Sequence, residues 1–220
     1  MSFFIWVEIF WNTCLREYAL GKSGLHRNTV GSILNKKRLL MMIEIAIFAA
    51  IGFVLDKLSF SLWPQGGSIS LVMVPIVLMA FRWGTVAGLV TGLLIGGLQV
   101  LIGGAYVLTP LQGFIDYFFA FTAVGLAGVM RGMMIAANRR GQTGKMIVAI
   151  TIGTFIGGLL KYAAHTLAGI VFFAEYAGKQ NVYWYSIVYN GSYMIPAIIL
   201  TIIVVALLFK SAPRIANPKN

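Results

Sequence analysis

The chain has 220 residues, of which 59% are hydrophobic and only 10% charged. A soluble domain carries roughly 25% charged residues, so water cannot be the solvent for most of this surface. The formal charge is +11, but the basic residues sit at the ends of apolar runs, a pattern of membrane topology rather than of nucleic-acid binding.

Residues 1–35 stand apart. The stretch 1–20 is interrupted by Glu8, Asn12, Arg16 and Glu17 and has neither a basic start nor a small-residue cleavage site, so it is a poor signal peptide. It reads as an N-terminal extension, from an upstream start or as an interfacial helix, joined by a polar linker to the rest of the chain. Cys14 is the sole cysteine, and with His26 and His165 it makes too few ligands for a zinc site. No metal or other cofactor is expected.

Apolar runs then recur at 39–58, 69–81, 85–102, 111–130, 146–173 and 184–209. Lipid offers the backbone no hydrogen bonds, so each run is expected to be a helix. A β-barrel would alternate apolar and polar residues, and 195–208 is almost uniformly apolar. The expected fold is therefore an all-α bundle of six transmembrane helices. Residues 36–213 form the membrane domain and 214–220 a tail. Trp63 to Ser68 reads as a loop, Arg82-Trp83-Gly84 as a tight turn, and Pro110 as a first helical residue. Gly88, Gly92, Gly96 and Gly97 place a small-residue face on the third run, suited to close helix packing.

Charge sets the orientation. Lys36, Lys37 and Arg38 precede the first run. Arg82 follows the second, Arg131, Arg139, Arg140 and Lys145 follow the fourth, and Lys210, Arg214 and Lys219 follow the sixth. The alternate loops are nearly uncharged, so both termini are expected in the cytoplasm.

Ionisable groups within a span cost about 2.5–3.5 kcal/mol on insertion scales and need a reason. Glu44, Asp116, Lys161 and His165 stand out. Glu44, near Lys37 and Arg38, reads as an ion partner at the cytoplasmic side. Asp116 lies about 9 Å inside its span and His165 about 13 Å inside the next, at 1.5 Å per residue. Tyr185, Tyr189 and Asn190 fall at a similar depth in the last. Three spans thus bring polar groups to the outer half of the bundle, which implies a pocket open to the exterior. One carboxylate among aromatic faces (Tyr106, Tyr117, Phe173, Trp184, Tyr185) suits a flat organic cation. Gly169 leaves space one turn from His165. Two structural readings stand beside this one: His165 as a helix bridge, and Asp116 in a buried ion pair with Lys161.

Several segments together resemble the thiamine-specific S-components of energy-coupling-factor (ECF) transporters. They are Glu44 to Ala50, Pro64 to Ser68, Phe81 to Gly84, Gly113 to Tyr117, Lys161 to His165 and Tyr185 to Gly191. The likeness covers 39–213 and leaves out the first 35 residues. It implies a six-helix membrane protein without its own ATPase, which captures thiamine outside a bacterial cell. Such a subunit docks on a membrane T-component carrying two ATP-binding subunits. The family's pocket residues match Asp116, Tyr117, Tyr106, His165, Gly169, Phe173 (where Trp is sometimes found), Tyr185 and Asn190. Trp63 lies near the place of a first-loop Trp. The family's docking strip matches Ala46 and Ala50, although internal packing of two alanines fits the same spacing. Three other readings are weaker. For an S-component of another vitamin, such as riboflavin or biotin, an anionic ligand would call for a pocket Arg or Lys, and only Lys161 qualifies. A protease based on Ser192 and His165 lacks the usual nucleophile turn. A proton-coupled transporter would want a second deep carboxylate.

Overall fold

The computed structural model describes residues 27–61 and 67–216. The chain divides into two compact units, Met1–Arg38 and Leu39–Asn220, and the second carries the helical bundle. The helices are α1 (Arg27–Lys57), α2 (Met73–Trp83), α3 (Thr85–Leu101), α4 (Pro110–Arg139), α5 (Thr143–Phe172) and α6 (Val182–Ser211). Lys36–Lys57 of α1, and α4, α5 and α6, are long and apolar enough to cross a bilayer. The shorter apolar helices α2 and α3 are joined by Gly84, whose φ of 112° only glycine adopts without strain. Between α1 and α2, where the sequence reads as loop and early helix, the chain makes a two-stranded antiparallel ribbon. β1 (Phe60–Ser61) pairs with β2 (Ser68–Ile69), and α2 begins only at Met73. Trp63 lies outside the described residues.

Helix α4 is the axis of the bundle. It packs against α3 on one side and α5 on the other, and α5 packs on α6. Apolar burial drives little helix association in lipid, so close approach between backbones matters more. Glycine makes that approach. A Cβ at Gly92 would fall 2.1 Å from the Phe121 carbonyl oxygen, and one at Gly96 2.2 Å from that of Tyr117. From the opposite side Gly153 and Gly157 of α5 press on the carbonyls of Ala127 and Val124, each at 2.5 Å from the position a Cβ would take. The packing role read from the glycine stripe thus holds for Gly92 and Gly96, and Gly88 meets Ala80 and Gly125 in the same way.

Helix α4 is also irregular. Thr109 caps it through the Gln112 amide, and Pro110 takes the first turn as the sequence predicts. Phe114–Phe119 then widens into a π-helix and Gly125–Met130 tightens into a 3₁₀ turn. Single-turn π segments inside α-helices are frequent at functional sites. This one contains Asp116 and Tyr117.

Glu44 finds a different partner from the neighbours suggested by sequence. Its carboxylate accepts from Arg82 Nε at 2.5 Å and Nη2 at 2.6 Å, and from Trp83 Nε1 at 2.6 Å. Arg82 also donates to the Ile215 carbonyl, and Arg131 donates to the Arg82 carbonyl. One node therefore ties α1, the α2–α3 turn, α4 and the C-terminal 3₁₀ turn Pro213–Ala216. Along α1, Ile45 and Ala49 turn inward, at 3% and 2% exposure, while Ala46 and Ala50 lie exposed between Ile43, Ile47 and Val54. The alanine pair is therefore not packed within the bundle.

Replacing Gly92 with Leu should cost about 3 kcal/mol, the upper end of overpacking penalties, because the side chain meets backbone that cannot rotate away. The check is a thermal melt of the detergent-solubilised protein. Gly144→Ala, where a Cβ meets nothing within 4 Å, should not lower the melting temperature.

Candidate functional site

A cavity of about 520 Å³ opens at the end of the bundle where α1 ends and α4 and α6 begin. Its size is in the usual range for small-molecule sites. Of the sequence-predicted pocket residues, all but Trp63 and Trp184 line it: Tyr106, Asp116, Tyr117, His165, Gly169, Phe173, Tyr185 and Asn190.

Asp116 is 9% exposed. Its Oδ1 lies 2.9 Å from His165 Nδ1 and its Oδ2 accepts from Gln112 Nε2 at 2.7 Å. Gln112 is itself held, because its Oε1 accepts from the Leu108 amide at 2.9 Å. The carboxylate is thus fixed between the first turn of α4 and the last third of α5. His165 does bridge two helices, but it does so from the cavity wall. The alternative pair with Lys161 does not form. Lys161, 6% exposed, places its ammonium 3.9 Å from the centre of the Phe121 ring, and Asp116 is hydrogen-bonded to His165 instead.

On α6, Tyr185, Tyr189 and Tyr193 recur every four residues and form a continuous aromatic wall. Tyr185 stacks on Tyr189 at 5.7 Å, and Tyr189 meets Tyr193 edge-on at 5.8 Å. His165 joins the wall against Tyr193 at 6.5 Å. Asn190 is locked among them: its Oδ1 accepts from the Tyr193 hydroxyl at 2.5 Å and its Nδ2 donates to the Ser186 carbonyl at 2.8 Å. The space beside Gly169 admits this face of α6, since a Cβ there would lie 3.0 Å from Ser186 Oγ. Trp184, expected from the sequence to supply an aromatic face, is 66% exposed and turns outward.

Loop residues frame the mouth. The Tyr106 amide donates to the Tyr117 hydroxyl at 3.0 Å, and its ring lies 6.3 Å from Phe173. Its hydroxyl hydrogen-bonds Tyr176, and that bond pushes the Tyr176 phenol above its ordinary value. The Gly67 amide donates to the Tyr189 hydroxyl at 2.9 Å, tying the first loop to α6.

Sequence reasoning missed Gln112, Tyr193, Tyr176 and a second acidic corner. There Asp56 accepts from Gln99 Nε2 at 2.5 Å and from Ser70 Oγ at 3.3 Å. A signal existed: Gln99 is the one amide side chain in the apolar run 85–102, and a polar group in such a run needs a partner. Among the described residues no group of three or more His, Cys, Asp or Glu side chains is placed to hold a metal ion. Ser192 does not line the cavity, and its hydroxyl donates to the Tyr189 carbonyl at 2.7 Å.

An apolar helical exterior around a chamber of carboxylates, amides and aromatic rings defines an integral membrane protein that holds a small solute. Chemistry of this kind fits transport rather than catalysis. The chain belongs to the thiamine transporter protein family (Thia_YuaJ), whose sequence profile matches residues 42–217. It is 46% identical over 182 residues to the thiamine transporter ThiT of Bacillus subtilis, covering 81% of this chain and 95% of that one. It is 35% identical over 188 residues to ThiT of Lacticaseibacillus paracasei, covering 84% and 94%. A solved structure of ThiT from Listeria monocytogenes superposes with a TM-score of 0.79 at 34% identity, covering 83% of this chain and all of that one. The protein is accordingly a multi-pass transport protein of the bacterial membrane and not an enzyme.

Tyr189→Phe removes the acceptor for the Gly67 amide. A net hydrogen bond is worth about 1 kcal/mol, so exchange of the Gly67 amide should quicken roughly five-fold. Hydrogen–deuterium exchange of the peptide containing Gly67 checks this.

Proposed function

We propose that this chain captures thiamine at the outer face of the membrane and passes it inward as the S-component of an ECF transporter. Energy for uptake then comes from two ATP-binding subunits on a shared T-component. In this reading the chain spans the bilayer six times with both termini in the cytoplasm. Residues 36–213 form the substrate-binding domain, 214–220 a cytoplasmic tail, and 1–35 an extension that takes no part in binding.

The observation that carries the proposal is the carboxylate of Asp116 in an aromatic chamber. It is oriented by Gln112 and His165 rather than cancelled by Lys161. A thiazolium ring brings a delocalised positive charge, an aminopyrimidine brings donors and acceptors, and both rings are flat. Tyr106, Tyr117, Phe173 and Tyr185 offer aromatic faces, each cation–π contact being worth up to about 2 kcal/mol when desolvated. Asn190 and Asp116 offer hydrogen bonds, and Gly169 lets the Asn190 face of α6 come close to α5. Trp63 is assigned to the same pocket on the family likeness alone.

For docking, the outward strip of Ala46 and Ala50 supports a close helix–helix contact, because small side chains let backbones meet. This strip lies on the outer surface of α1, apart from the chamber wall.

Asp116→Asn should weaken thiamine binding by about ten-fold or more, since the desolvated cation loses its counter-charge. Titration calorimetry on the purified protein, with riboflavin and biotin as controls, is the test; unchanged affinity sinks the pocket assignment. Ala46→Trp should leave that affinity intact while abolishing uptake by cells. Equal loss of binding and uptake would refute a docking role.

A further inference from the structure

The chamber contains a second carboxylate that neither the sequence reading nor the family likeness assigns. Asp56, the penultimate residue of α1, lines the cavity together with its two hydrogen-bond donors, Ser70 and Gln99. Both donors are neutral and buried, at 8% and 3% exposure. They orient the carboxylate without cancelling its charge. Among the described residues no ammonium or guanidinium lies within ion-pair distance of Asp56. The undescribed first-loop stretch 62–66 is Leu-Trp-Pro-Gln-Gly and brings no charge.

The two lysines that line the chamber, Lys57 and Lys161, form no ion pair with Asp56. Lys57 is exposed at the mouth, where its ammonium donates to the Gly103 carbonyl and lies 5.5 Å from the centre of the Phe53 ring. Solvent screens a charge placed there. Lys161 is buried and lies over Phe121. Lys57 also lines the cavity, but at its solvent-screened mouth; the inner part of the chamber holds two formal carboxylates, Asp56 and Asp116, against the one buried ammonium of Lys161.

We propose that Asp56 is a second determinant of charge selectivity, making the chamber one negative charge in excess so that it takes a monocationic ligand. The inference rests on the thiamine-capture reading and extends it. With Asp116 as the sole carboxylate, its formal charge and that of the Lys161 ammonium would sum to zero over the chamber. The excess charge comes from Asp56, and Gln99 holds it facing the cavity. Field from a partly buried charge decays slowly in a low-dielectric interior, so Asp56 acts on the ligand's charge without touching its ring.

The test is a comparison of two ligands on the full-length purified chain by titration calorimetry: thiamine, and its neutral isostere in which a thiophene replaces the thiazolium ring. Asp56→Asn should lower thiamine affinity about ten-fold while changing affinity for the isostere less than about three-fold. Asp56→Glu, which keeps the charge, should retain the wild-type ratio of the two affinities. An equal fall for both ligands would mean that Asp56 only holds Gln99 and Ser70 in place, and would overturn the proposal. So would no fall for either ligand, or loss of the ratio in the Glu variant. If Asp56→Asn does not fold, Asp56→Ser read by the same ratio decides. Failure of the unsubstituted chain to bind thiamine would instead overturn the capture reading, and this one with it.

Discussion

Lipid offers no hydrogen bonds, so each polar side chain carried into the bilayer must find its partner within the protein. Asp116 is where this constraint acts most strongly. Its carboxylate is met from its own helix by Gln112 and from α5 by His165, and Gln112 is in turn held by the amide of Leu108. A loop, a helix start and a neighbouring helix are thereby fixed to one another through a single charged group. The chamber is the space that this arrangement leaves on the open side of the carboxylate. Its other walls follow the same rule: Asn190 is satisfied by Tyr193 and Ser186, and Asp56 by Gln99 and Ser70.

Such polar pairing needs helices that come close together, and glycine supplies the closeness. The backbone of α4 is approached by Gly92 and Gly96 from α3 and by Gly153 and Gly157 from α5. The π-helical turn that presents Asp116 and Tyr117 lies in the part of α4 that Gly96 touches. Near the opposite end Arg82 gathers Glu44, the Ile215 carbonyl and, through its own carbonyl, Arg131. Polar chemistry is thus concentrated at two places, and apolar packing fills the length between them, as in the edge-to-face contact of Phe81 with Phe209.

The two faces of α1 illustrate how one helix can serve two purposes. Ile45 and Ala49 turn inward, Ala46 and Ala50 turn outward, and Asp56 at its end reaches the cavity. An exposed strip of small side chains and a carboxylate that faces the chamber thus share one helix. Membership of the thiamine transporter family gives that arrangement its context.

Much was legible in the residues alone. Apolar run length and charge placement are local properties, and lipid leaves a long apolar segment no conformation but the helix. The membrane class, the main helices and the convergence of Asp116, His165 and Asn190 on one chamber could therefore be read directly. What required the tertiary structure was partner choice. Glu44 lies close in sequence to Lys37 and Arg38 yet pairs with Arg82, and Asp116 takes His165 and Gln112 rather than Lys161. Trp184 turns out of the chamber while Tyr193 turns in, and Asp56 gains its meaning only beside Gln99. A sequence states which side chains carry charge and at what depth. Which of them meet depends on the rotation and spacing of neighbouring helices, and those are set by contacts between residues far apart in the chain.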